Sequence, residues 1–278
     1  TFTDGILIDE QGKVHHFKTP SVTANPSEAF MRCLAKGAKL VGISLEELLS
    51  CISKLSYGNT IATNALLEHK TAKTGLITTR GFQDTLAIAR IGREYLGIDL
   101  QCQRPEPLVP RNRIEEITER VDSRGEVVIP LHEHELAEIM EKYAASDIAA
   151  VAVCLLWSFK NPEHEKRIGR TLQKKFPDLY FSLSHEISPM IGEYERTATT
   201  VINASLGPLL KSHLGTLSHE LAEKGLTVPL LLMQATGGVV PTDDAVLKPI
   251  TLVNSGPAGG VIAGKYLSAL LGLPNCIC

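Results

Sequence analysis

The apolar positions of the first sixty residues change period twice. Residues 5–8 and 14–17 are short apolar runs joined by Asp9-Glu10-Gln11-Gly12-Lys13, a polar turn holding one glycine, and this pattern predicts a β-hairpin. Thr19-Pro20 ends the hairpin. Asn25-Pro26-Ser27-Glu28 then opens a helix, with Asn25 as the cap and Pro26 in the first turn, reaching about Val41. A strand is predicted over 52–57, a short helix around 65–67, a strand over 75–77 and another helix from near Phe82. Alternating strands and helices predict an α/β layer.

Over 91–147 the pattern differs. Arg104-Pro105-Glu106-Pro107-Leu108-Val109-Pro110 carries too much proline for either regular element, and 114–121 alternates like one strand with a wet face. Asp122-Ser123-Arg124-Gly125 turns into a strand over 126–129, and Pro130 precedes an amphipathic helix through Tyr143. This segment reads as an inserted α+β lobe. The layer resumes at 148–156, a continuous apolar run expected of a strand buried on both faces. Asn161-Pro162 starts the next helix and 179–183 forms another strand. A long helical stretch follows from Ile191 to about Lys224, with an interruption predicted at Gly207-Pro208. Residues 229–233 form a buried strand that ends in the polar loop Gln234-Ala235-Thr236-Gly237-Gly238. A short strand at 252–253 then leads through Asn254-Ser255-Gly256-Pro257-Ala258-Gly259-Gly260 into a helix running to Leu271.

Composition narrows the chemistry. With 278 residues, 44% of them apolar, the chain can bury one large core or two smaller ones. Lys plus Arg number 28 against 31 Asp plus Glu, and a net charge of -3 supplies no basic field for nucleic acid, which favours a small-molecule or protein partner. Six scattered cysteines include no C-x-x-C pair, as expected of reduced thiols in a cytoplasmic protein. No apolar run is long enough for a membrane helix, and the N-terminal residues do not read as a signal peptide. A chain opening on Thr1 without Met reads as processed or as a cut piece.

Polar side chains gather most densely over 57–84. Gly58-Asn59-Thr60, Thr63-Asn64 and Thr78-Thr79-Arg80-Gly81 project hydroxyls, amides and a guanidinium from the ends of a short helix and a strand, where scaffolded sites lie. The same residues also serve as caps and turn formers. The helix start at Ser255 to Gly260 would leave backbone N–H groups open to an anion, or pack closely on a strand through its glycines. His132-Glu133-His134-Glu135 has the composition of a ligand cluster, but alternate residues at a helix start are expected to point apart, as on a solvated helix N-terminus. His185-Glu186 with Glu193-Tyr194-Glu195-Arg196 brings an imidazole, three carboxylates and a guanidinium into one stretch, suited to acid/base work or to an ion-paired helix start. His15-His16 and Trp157 fit strand packing or exposure.

The segments YGNTIATNALLEHKTAKTGLITTRGFQD, RPEPLVPRNRIEEITERVDSRGEVVIPL, VAVCLLWSFKNPEHE, SLSHEISPMIGEYERTATTVINA, LLLMQATGGVV and VNSGPAGGVIAGKYL resemble hydantoinase A of the hydantoinase/oxoprolinase family and run through nearly the whole chain. The resemblance implies ribonuclease H-like α/β halves, as in actin, sugar kinases and heat-shock-chaperone ATPases. It divides the chain into an N-terminal domain over 1–90 and 148–187, the lobe at 91–147, and the start of a catalytic domain over 188–278. It implies ATP with Mg²⁺, a cyclic amide substrate activated at its carbonyl oxygen, a hydantoinase B-type subunit and room for self-association, with any further divalent metal left open. Two other implications stand beside it: an actin-like ATPase serving as a reactivating chaperone, or a truncated module that docks on the B-type subunit.

Residue by residue, the resemblance assigns Thr1, Thr3 and Asp4 to nucleotide phosphates or metal, and Ser255, Gly256, Gly259 and Gly260 to a helix-start loop at the nucleotide. Substrate falls to Asn59, Thr60, Asn64 and Arg80, with Glu193, Glu195 and Arg196 for acid/base or positioning roles. The chain departs from the family at Tyr57-Gly58-Asn59-Thr60, where His-Gly-Thr-Thr is usual, and at Met190, where Glu is usual. The family's first phosphate loop, Asp-x-Gly-Gly-Thr-Phe-Thr-Asp, is represented only by its tail, Thr1 to Asp4, and a second loop should follow the strand beginning at Asn275. The isolated chain is therefore expected to bind ATP weakly and to turn over nothing.

Overall fold

The computed structural model describes residues 2–21, 26–89 and 106–277, which divide into two compact units. The first comprises Thr1–Thr60, Leu210–Val246 and Thr251–Cys278; the second comprises Ile61–Leu209 and Leu247–Ile250. Thr1, Asn25, Arg104 and Pro105, all named above, lie outside the described residues, as do two of the six cysteines, Cys102 and Cys278, and the stretch 91–105 of the expected lobe.

In the first unit the hairpin forms as expected, β1 (Phe2–Ile8) antiparallel to β2 (Val14–Pro20). Asp9 Oδ1 accepts from the amides of Gln11 and Lys13, and Gly12 takes the positive φ of 78° that closes the turn. Phe17 lies across this hairpin onto helix Pro26–Val41, where a Cβ added to Gly5 or Gly37 would meet its ring at 2.1 and 2.6 Å. Helix Leu45–Cys51 carries a reciprocal capping box between Ser44 and Glu47. It leads to β3 (Leu55–Tyr57), shorter than the strand predicted over 52–57.

The second unit is built on four parallel strands: β4 (Thr74–Thr79), β5 (Ile114–Ile117), β8 (Ala150–Cys154) and β9 (Tyr180–Leu183), in the order β5-β4-β8-β9. Every residue of β4 and β8 is buried, as the unbroken apolar run predicted for β8. One sheet face presents Ile77, Val151 and Val153 to helices His134–Ala145 and Glu163–Lys175 through Leu136, Ile139, Met140, Tyr143, Ile168 and Leu172. The other presents Leu76, Ala150, Ala152 and Cys154 to Val201 and Ala204. Tyr143 Oη donates to the carbonyls of Leu76 and Arg113, and its ring fills the place a Cβ on Gly75 would need.

The described part of the expected lobe shares this sheet and core: β5 pairs with β4, and helix His134–Ala145 covers it. The single strand expected over 114–121 is broken. After β5 the chain turns Glu119 inward, and β6 (Arg120–Val121) pairs instead with β7 (Val127–Ile129) across a turn at Gly125, φ 89°. A kink or break of the long helix is expected at Pro208; the break does not occur, and helix Glu193–Glu223 continues through it. Pro208 forfeits one backbone donor. Gly207 leaves room for the Tyr180 ring, which an added Cβ would meet at 2.0 Å.

Back in the first unit, β10 (Leu230–Met233) runs parallel to β3, with Leu230 opposite Leu55 and Leu232 opposite Tyr57, and antiparallel to β11 (Val239–Pro241). The short strand expected at 252–253 is absent. Pro249–Leu252 is a 3-10 turn, and Asn254 adopts the left-handed conformation (φ 61°) before helix Ser255–Leu271. Thr251 explains this: its carbonyl accepts from the Ala235 amide at 2.7 Å and its hydroxyl from Gln234 Nε2 at 3.0 Å, so the segment is held side-on rather than laid into the sheet.

Candidate functional site

In the first unit, parallel strands β3 and β10 end side by side, and their carboxyl-end loops face the start of helix Ser255–Leu271. The Ser255 hydroxyl, 2% exposed, donates to the Asn59 carbonyl at 3.3 Å, joining two segments nearly two hundred positions apart. Gly259 lies under Met233, the last residue of β10, where a Cβ would meet the thioether sulfur at 3.0 Å, and Gly58 touches the same side chain. The Gln234–Gly238 loop closes on itself through the Gln234 amide to the Gly238 carbonyl and the Gly237 amide to the Gln234 carbonyl. Nothing lies within 4 Å of a Cβ built on Gly256 or Gly260, so the first turn of the helix has open space around its backbone. Carboxyl ends of adjacent parallel strands together with an open helix N-terminus make a place for an anionic ligand.

Position 57, where a departure from the family pattern is expected, faces away from solvent. The Tyr57 ring packs against Phe30, 4.5 Å between centroids, and near His213, and burial pushes its phenol up to about 12. It therefore stays protonated near neutrality and fills core space. His213 pairs through Nδ1 with the Ser27 hydroxyl at 3.3 Å, while its Nε2 is buried with no hydrogen-bond partner. Burial holds this imidazole below its ordinary range. The folded chain then binds fewer protons than the unfolded chain just beneath the unfolded value of about 6.5, so stability present above that pH is lost as pH falls through it. Substituting Leu for His213 should flatten the acid side of a plot of urea midpoint against pH; an unaltered slope would discharge His213 from this role.

The other expected nucleotide residues stay within the hairpin: the Thr3 hydroxyl pairs with Ser21, and Asp4, two-thirds exposed, with Lys18 at 3.0 Å. Thr60 is exposed in the first unit. Asn64, exposed on helix Ile61–Leu67, and Arg80 belong to the second unit. Arg80, at the end of β4, reaches Glu135 Oε1 at 3.2 Å. Burial pushes the Glu135 carboxyl up, but the Thr118 amide and the Arg80 guanidinium outweigh it and hold the group below the usual carboxylate range. The imidazoles of His132 and His134, expected to diverge, stack instead with centroids 5.5 Å apart, since His132 precedes the helix that begins at His134.

Of the acid/base candidates, Glu193 and Glu195 are half-buried in the first turn of helix Glu193–Glu223. Arg196 is 1% exposed. Its terminal nitrogens donate to the carbonyls of Leu155 and Met190, both at 3.0 Å, and its guanidinium lies 5.2 Å from the Phe159 ring centre. These contacts tie the start of helix Glu193–Glu223 to the loop after β8.

That loop rests on residues the sequence reading missed. Glu165, fully buried, accepts from the Leu155 amide (2.9 Å), the Ser184 hydroxyl (2.6 Å), and the His185 amide and Nδ1 (2.9 and 2.7 Å). Glu119, 2% exposed, accepts from the Thr79 hydroxyl and pairs with His164 Nδ1 at 2.7 Å, while Thr79 Oγ1 accepts the Leu156 amide. So His185 binds Glu165 through Nδ1 at 2.7 Å, while its Nε2 lies 3.8 Å from Glu186 Oε1. One signal was available: Glu165 lies on the same stripe as Ile168, Gly169 and Leu172, where an exposed acid would not sit.

Two family models cover most of the chain. Residues 1–176 match the hydantoinase/oxoprolinase N-terminal region and 196–278 match hydantoinase/oxoprolinase. An uncharacterized protein of Methanocaldococcus jannaschii is 36% identical over 98% of the chain, and the caprolactamase subunit alpha of Pseudomonas jessenii 34% identical over 100%. The chain spans 39% and 40% of the lengths of these two relatives. The crystal structure of the ATP-dependent caprolactamase from P. jessenii superposes with a TM-score of 0.87 at 33% identity, covering 98% of this chain and 40% of that one. A nucleotide-free acetone carboxylase, from work on ATP-dependent acetone carboxylation, gives 0.87 at 30% identity with the same coverage. The α/β, actin-like class expected from the sequence is the class observed, and no helix among the described residues is long and apolar enough to cross a membrane. With both family models matched in order along it, this chain belongs to the hydantoinase/oxoprolinase family.

Proposed function

We propose that this chain forms part of an ATP-dependent enzyme that activates the carbonyl oxygen of a cyclic amide, a hydantoin, 5-oxoproline or a related lactam, for ring opening. The observation that carries the reading is the meeting of Asn59, the Gln234–Gly238 loop and the open start of helix Ser255–Leu271 at the ends of two parallel strands, in a chain whose relatives include an ATP-dependent caprolactamase. An amide carbon is a poor electrophile. Attack of its carbonyl oxygen on the γ-phosphorus forms a C–O–P bond and breaks the bond to ADP; one water then adds to the carbon and the ring C–N bond breaks, the nitrogen taking a proton, to give an acyl phosphate, from which a second water displaces phosphate and leaves the carboxylate.

In this reading the backbone N–H groups around Ser255 and Gly256 hold phosphate oxygens, for which open space and helix polarity both suit them. Asn59 is anchored beside them through its carbonyl, which accepts from the Ser255 hydroxyl. Mg²⁺ would arrive with the nucleotide and supply charge neutralisation, its ligands being mostly phosphate oxygens and water. Arg196 orients the loop after β8. A ketone carboxylase is the second reading, favoured by the acetone carboxylase likeness. The caprolactamase relative is named as a subunit, which supports a hydantoinase B-type partner for this chain too.

The test is ADP release by the full-length protein with its partner subunit across a panel of lactams. ADP formation that rises with one lactam and matches ring-opened product is the expected result. ATP hydrolysis indifferent to every lactam would sink the proposal, and turnover requiring bicarbonate and a ketone would replace it with the carboxylase.

A further inference from the structure

The stacked imidazoles of His132 and His134 lie beside Glu135 in the second unit, and one ligand atom from each residue falls within 4.8 Å of the other two. His132 Nδ1 is 3.7 Å from Glu135 Oε1. Two imidazoles and one carboxylate are the donor set that divalent zinc, cobalt or nickel accepts, with metal–ligand bonds of about 2.0–2.2 Å. Ligand atoms on such an ion are roughly 3–3.5 Å apart. Both imidazoles are exposed, which leaves their side chains room to rotate towards an ion.

The third ligand is fixed in advance. Glu135 Oε2 accepts the Thr118 amide at 2.7 Å, which holds the carboxylate and leaves Oε1 towards the two rings. The positive end of helix His134–Ala145 opposes a cation, so the set needs an anionic member, and Glu135 provides it. Oε1 also receives the Arg80 guanidinium at 3.2 Å. A metal and Arg80 therefore contend for one oxygen. Around them lies an open groove lined in part by Gln83, Arg111, Asn112, Glu116 and Glu138, into which a displaced Arg80 could swing.

We propose that His132, His134 and Glu135 form a binding site for one divalent transition-metal ion, and that occupancy exchanges with the Arg80–Glu135 ion pair. The site is independent of the nucleotide-proximal loops and of the lactam reading.

The test titrates the intact chain with Co²⁺, read by visible absorption, and with Zn²⁺, read by calorimetry. One equivalent should bind, and Zn²⁺ should bleach the cobalt spectrum. His132→Ala, His134→Ala and Glu135→Gln should each weaken binding at least tenfold, since even residues that merely support ligands are worth about 10–100-fold. Arg80→Gln should tighten binding by removing the competitor, a result that unspecific loss of structure cannot imitate. Unfolding midpoints of the His132→Ala and His134→Ala variants check that these exposed substitutions leave the fold intact. Absence of a stoichiometric site, or undiminished binding in the variant lacking both imidazoles, would overturn the site; unchanged affinity in Arg80→Gln would overturn the exchange.

Discussion

Replacing Glu165 by alanine should destabilise the second unit by about 3–5 kcal/mol, the range for removing one member of a buried ionic network. The carboxylate is fully buried and accepts from the amides of Leu155 and His185, the Ser184 hydroxyl and His185 Nδ1. Truncation removes the acceptor of all four donors; the Ser184 hydroxyl can still turn to Ser158 Oγ at 2.9 Å, but the others lose their partner, at about 1–3 kcal/mol each when buried, less whatever water can recover. It also loosens the loop after β8, which Arg196 would still hold at the Leu155 carbonyl and Thr79 at the Leu156 amide. Glu165→Gln should fall in between, because its amide keeps one acceptor but turns a donor towards groups that are themselves donors. Urea unfolding of the purified chain checks this. A loss below about 1 kcal/mol for the alanine variant would mean that the network is dispensable.

The second large effect separates stability from activity. Gly256→Asp puts a carboxylate in the first turn of helix Ser255–Leu271, where nothing lies within 4 Å of the new Cβ. An acidic side chain there complements the helix dipole and should leave stability unchanged or raise it by about 0.3–1 kcal/mol. If the same turn receives phosphate, the carboxylate occupies the N–H donors and repels the nucleotide. Lactam-dependent ATP turnover by the full-length protein should then drop about a hundredfold, comparable to losing one preorganised donor to developing charge. Turnover near the unsubstituted rate, with the fold intact, would remove this helix start from the nucleotide site.

Local pattern was enough to read much of this architecture. The hairpin turn at Gly12, the apolar run of β8 and the Leu136-Ile139-Met140-Tyr143 stripe each carry their period in a few neighbouring residues. What escaped depends on partners far along the chain. The alternating run over 114–121 gave no sign of breaking, because Glu119 turns inward to meet Thr79 and His164, 40 and 45 positions away. Residues 252–253 looked like a strand, but Thr251 is held by Gln234 and Ala235. Pro208 suggested an interruption, yet one lost donor did not stop the helix.

The candidate site was legible in the same uneven way. Composition singled out Asn59 and Ser255, and the fold does join them. Arg196 was singled out for its charge, but its contacts are main-chain carbonyls. Tyr57 looked like a change in chemistry and is a core residue. Burial separates these cases, and burial is set by tertiary neighbours.

The parallel pairing of β3 with β10 has a consequence for how the protein is made. Residues 55–57 must wait for 230–232 to leave the ribosome before their ladder can form, whereas the second unit is nearly continuous in sequence. That unit can close on itself while the opening sixty residues are still without their strand partner, exposed to chaperones and to wrong pairings. A chain cut after residue 176, between the two family regions, would leave Leu55–Tyr57 permanently in that condition.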